Sequence, residues 1–174
     1  PGGIEVLRGA EAAAPSRASS GFEVVDQGGV EILYGLEPGT DRVEFETRSY
    51  TLDSVERQGL RLAVLAMIDV YDEKLGLRVA SDFAVGLDIL GDRREFETRL
   101  RAGRDVSGFH RRETREAVVS GEAPSEHVHR TAVHESSHAI LGDLAPGTPP
   151  WLDEGLAEYF ERLDRQGGWV EIPA

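Results

Sequence analysis

The chain has 174 residues, 40% hydrophobic and 29% charged, with no cysteine and a formal net charge of −13. Length and composition fit a globular chain that buries its own core without covalent staples, and the missing cysteine excludes disulfides, thiol nucleophiles and thiolate metal sites. The acidic surface repels phosphate backbones and anionic lipid, so neither nucleic acid nor an anionic membrane is an expected partner.

Residues 1 to 20 are rich in Gly, Ala, Ser and Pro and read as a flexible leader; residues 21 to 174 read as a single domain. The start at Pro1 reads as a processed piece, from which export to the periplasm or outside is expected. No apolar run reaches membrane-spanning length, so no integral membrane segment is expected.

Phe22 to Tyr34 holds two short alternating stretches about a Gln27-Gly-Gly turn and predicts a hairpin, and Val43 to Tyr50 alternates as a strand with one buried face. Asp53 or Ser54 then caps a long helix carrying Val55, Leu62, Leu65, Ile68 and Tyr71, ending near Gly76. Leu77 to Leu90 reads as a strand, Asp92 to Arg101 as a short charged helix, and Gly108 to Ser120 as one further strand whose polar first half suits a sheet edge. A helix follows from Pro124-Ser125 to Leu141, with Ser125 as cap and Gly142 as stop, and a last one from Trp151 to Arg165 launched by Pro149-Pro150. The order predicts an α+β domain.

Residues 134 to 138 read His-Glu-Ser-Ser-His. On a helix, positions i and i+4 lie about 40° apart around the axis, so both imidazoles reach one metal ion; neutral imidazole suits zinc and leaves room for a water. Glu135, about 100° from His134, stands beside that water and not on the metal, where a carboxylate works as general base. Val133, Ile140, Leu141 and Leu144 border the histidine side. The later segment Trp151-Leu-Asp-Glu-Gly-Leu-Ala-Glu-Tyr-Phe-Glu161 places Glu154, Glu158 and Glu161 on one helical face, and Leu152, Leu156, Tyr159 and Leu163 on the other.

Together, His134-Glu-Ser-Ser-His138 and Trp151-Leu-Asp-Glu154-Gly-Leu-Ala-Glu resemble the gluzincin superfamily of zinc peptidases, in its peptidase-MA-like bacterial branch, with thermolysin a distant relative. The match covers about residues 125 to 161. It implies a small mixed sheet, an active-site helix, a glutamate-ligand helix and a thermolysin-like catalytic core. It implies Zn2+ held by His134, His138 and Glu154, with Glu135 catalytic, and Glu158 orienting a ligand histidine from outside. The activity implied is hydrolysis of a peptide or protein substrate by Glu-assisted attack of a zinc-bound water. The alternative is a catalytically weak or inactive zinc-binding relative acting as a scaffold. Gly108 to Ser120 would hold the place of the family's substrate-pairing edge strand.

Two departures stand out. The spacer between His138 and Glu154 is shorter than in larger relatives, and the downstream Tyr or His that stabilises the oxyanion there has no evident counterpart. Tyr159 falls on the predicted core face, leaving His110, His127 and His129 as substitutes. A metzincin pattern would need Gly at 141 and His at 144, where this chain has Leu141 and Leu144, and the cysteine ligand of peptide deformylase is missing.

Overall fold

A computed structural model describes residues 23–26, 31–34, 43–48, 50–80, 83–100, 106–166 and 169–172. The predicted leader and the Gln27-Gly-Gly turn lie outside the described residues. The architecture is mixed α+β: two four-stranded sheets and four α-helices among the described residues. No helix there is long and apolar enough to cross a membrane.

The predicted first hairpin is present as antiparallel β1 (Glu23–Asp26) and β2 (Glu31–Tyr34). The predicted strand at 43 is β3 (Val43–Arg48). Helix α1 (Ser54–Asp69) begins with a reciprocal cap: the Asp53 carboxylate accepts from the Val55 and Glu56 N–H groups, and the Glu56 carboxylate accepts from the Asp53 N–H. It runs into a wider helical turn at Val70–Lys74, and Gly76 leaves it at φ +68, a conformation glycine adopts without strain.

Strand β4 is confined to Val85–Leu90, shorter than the predicted 77–90. Helix α2 (Arg93–Leu100) follows, its first N–H groups held by Asp92. The single strand predicted over 108–120 is instead a hairpin, β5 (Gly108–Arg111) and β6 (Glu116–Ser120), turned by Arg112–Arg115 with Arg115 at φ 52. Helix α3 (Ser125–Leu144) has Pro124 at its cap position, so Ser125 already lies inside the first turn and caps nothing. Gly142 does not stop it; a Cβ there would meet the Arg112 side chain at 3.0 Å. Helix α4 (Pro150–Phe160) is shorter than predicted, giving way to β7 (Asp164–Gln166) and β8 (Trp169–Ile172).

The sheet that carries the site has the order β3-β4-β6-β5. β3, β4 and β6 are parallel, and β5 closes one edge antiparallel to β6. Val85, Leu87, Ile89, Ala117 and Val119 join one core with α1 and α3. Leu90 and Val118 join a second with Phe96 of α2 and Phe109 of β5. This two-sided coverage explains why β4 and β6 bury residues on both faces. On the α2 side the buried Asp88 carboxylate pairs with the Arg99 guanidinium. The other sheet, β1-β2-β8-β7, joins strands from the two ends of the described chain.

Candidate metal centre

The imidazoles come from one face of α3. That helix buries Val128, Ala132, Val133, Ser136, Ser137, Ile140 and Leu141, so its core face fixes the rotation that turns His134 and His138 toward α4. Tyr71, buried at the end of α1, is hydrogen-bonded to Ser137 Oγ at 2.7 Å and packs its ring 5.2 Å from that of Phe160 on α4. One side chain thus ties α1 to both site helices.

His138 Nε2 and His134 Nε2 lie 3.2 Å apart, and Glu154 Oε2 lies 3.6 Å from the second and 3.7 Å from the first. A cation bound tetrahedrally at about 2.0–2.1 Å spaces its ligands about 3.3–3.4 Å apart. The three separations bracket that value, so His134, His138 and Glu154 form a group that could hold a metal ion. Sequence reasoning named the same three.

The opposite ring atoms face carboxylates. His138 Nδ1 donates to Asp153 Oδ1 at 2.7 Å, leaving the Nε2 lone pair for a cation. His134 Nδ1, enclosed from solvent, stands 3.3 Å from Glu161 Oε2, and Glu161 is held in turn by Arg130 at 2.9 Å. The carboxylates that face the two rings are therefore Asp153, hydrogen-bonded to His138, and Glu161, near His134, and not Glu158. Glu158 is exposed and forms no hydrogen bond or ion pair among the described residues.

The reason is helix phase. α4 buries Ala157 and Phe160 and half-buries Asp153 and Leu156, one stripe at helical spacing. Trp151, Leu152 and Tyr159 lie outside it, 75%, 37% and 36% exposed, so the expectation that Tyr159 sits in the core is also corrected. Asp153 could have been found from its place fifteen residues after His138, as it immediately precedes the ligand glutamate on the face turned to α3.

Glu135, next to His134 on α3, is outside the group that could hold an ion, its side chain 13% exposed and free of hydrogen bonds among the described residues. Edge strand β5 passes beside it. A Cβ built on Gly108 would stand 2.8 Å from Glu135 Cγ and 2.6 Å from Thr131 Cγ2. His110, two residues on, brings Nδ1 to 3.6 Å from Glu135 Oε2 and its ring to 5.0 Å from that of His138. Of the three histidines considered as substitutes, only His110 reaches the site. His127 is exposed and bonded to Ser107 Oγ at 3.2 Å, and His129 lines a separate cavity of about 180 Å³ with Tyr50, Leu52 and Glu56.

No protein-family model, curated protein or solved structure matches the chain.

Proposed function

We propose that this chain is a zinc-dependent metallopeptidase of the gluzincin type, with a thermolysin-like catalytic core. The observation that carries the reading is the convergence of His134 Nε2, His138 Nε2 and Glu154 Oε2 near tetrahedral spacing, with Glu135 next to His134 in the chain and free of hydrogen bonds among the described residues. A purely structural site has no use for that last carboxylate. Two imidazoles and one carboxylate with an open position suit zinc, which when bound acidifies water and polarises a carbonyl.

The chain's own groups perform the remaining tasks. Asp153 holds the His138 ring in the tautomer and orientation that present Nε2, and Glu161 places a carboxylate 3.3 Å from Nδ1 of His134. Glu135 takes a proton from the attacking water and passes it to the leaving amine. Strand β5 ends the sheet and, among the described residues, offers an unpaired edge to an extended peptide, which would run beside Glu135.

Purified without chelator, the protein should carry about one zinc per chain. Glu135→Gln should keep that zinc while hydrolysis of a peptide library falls about 10²–10⁴-fold. A variant that cleaves as fast as the wild type would overturn the mechanism.

A further inference from the structure

The edge strand brings a group to the centre that the reading above leaves without a task. Along β5 the side chains alternate. Phe109 faces α2, its ring 5.6 Å from that of Phe96, whereas Gly108 and His110 face α3. Gly108 lets the strand come so near α3 that any side chain there would meet Thr131 and Glu135. This close approach seats His110 against both Glu135 and His138. Yet His110 is outside the group that could hold the cation, and its ring nitrogens make no hydrogen bond among the described residues. The ring remains partly open to solvent, with its side chain 30% exposed. Among the described residues, three other candidates for stabilising charge on a substrate are occupied or elsewhere. The Tyr71 hydroxyl is bonded to Ser137, His127 to Ser107, and Tyr159 lies on the exposed face of α4.

Resting on the peptidase reading, we propose that His110 is the oxyanion donor of this site: its imidazole donates a ring N–H to the oxygen of the carbonyl under attack. As the water oxygen bonds to the carbonyl carbon, the π electron pair of the C=O bond moves onto that oxygen and one water proton passes to Glu135. His110 keeps its proton and stabilises the new charge by hydrogen bonding, strengthening as the charge develops. The donor thus comes from the strand before the metal-binding helix, and not from a segment after it. An imidazole on the edge strand would also stand beside the peptide that pairs with that strand.

The test compares zinc-loaded wild type, His110→Ala and His110→Gln, the last retaining an N–H donor. Two readouts are taken: kcat and KM on a cleaved peptide, and calorimetric affinity for a peptidyl phosphonate, whose tetrahedral anion mimics the attacked carbonyl. The Ala variant should bind zinc as the wild type does, lose about 10²–10³-fold in kcat with little change in KM, and bind the phosphonate at least about tenfold more weakly. The Gln variant should recover part of both losses. The affinity loss should persist when Glu135 is Gln in both proteins. If it vanishes in that background, His110 acts only through Glu135 and direct contact is overturned. An Ala variant equal to wild type in kcat and phosphonate affinity overturns the proposal while leaving the peptidase reading intact. A zinc-loaded wild type that neither cleaves peptide nor binds the phosphonate removes both.

Discussion

At the residue scale the site is a set of pairs. Each ligand imidazole has a carboxylate behind it, and the one behind His138 is the closer, at 2.7 Å against 3.3 Å for His134. Asp153→Asn should therefore weaken zinc binding about 10–100-fold in a competition titration, whereas Glu158→Gln should leave it within about twofold of wild type. Equal effects from the two substitutions would refute the assignment. Gly108 is the second residue-scale test. Its Ala variant places a methyl in the space of Thr131 and Glu135, and kcat should fall at least about tenfold with zinc content unchanged. Unchanged kcat would show that the edge strand can retreat without moving the base. The convergence of His134 and His138 was legible from spacing alone, because a helix's period converts four residues into one face. Glu154 was legible through the resemblance. Asp153 and Glu161 were not, because choosing among the four acids of residues 153–161 depends on the rotation of α4, and Leu152 and Tyr159, both placed on the apolar face of the wheel, turn out to be exposed.

At the scale of elements, the joint between α1, α3 and α4 positions the chemistry. Tyr71 is fully buried, and its phenol is pushed above the ordinary value near 10, chiefly by burial, although the Ser137 hydrogen bond pulls the other way. The folded state thus favours the neutral phenol. Above about pH 10 the unfolded chain ionises first, so the contribution of Tyr71 to stability is present below that pH and declines as pH rises toward the folded value. Tyr71→Phe should leave the buried Ser137 hydroxyl unpaired and lower stability by about 1–3 kcal/mol near pH 8. The gap between wild type and variant, measured by urea unfolding, should narrow by about pH 11. A gap that widens with pH would contradict the assignment. The elements themselves were mostly legible: the Asp53 cap, the amphipathic α1 and the start of α3 follow from local chemistry. The β5–β6 turn was hidden because Arg112-Glu-Thr-Arg115 holds no Gly, Asn or Pro, so the turn rests on a non-glycine residue at positive φ.

At the scale of the whole molecule, order in the sheet decides what the site can meet. β3, β4 and β6 lie side by side under α1 and α3, and β5 is left at the rim next to Glu135. The α+β class was readable from the succession of patterns. The β7–β8 hairpin was missed although Gly167-Gly168 is a hairpin signal, since the apolar pattern of α4 was carried too far. The pairing of β8 with β2 joins segments more than a hundred residues apart, and no local pattern encodes such a partner. The metal centre depends on the same long-range order, because α3 and α4 must dock for Glu154 to reach the two imidazoles. Zinc-edge X-ray absorption of the zinc-loaded protein examines that convergence most directly. A four-coordinate shell of nitrogen and oxygen at about 2.0–2.1 Å, with the scattering signature of two imidazoles and with one oxygen lost in Glu154→Ala, is the predicted result. A shell of water oxygens alone, or one unchanged by removing Glu154, would contradict it.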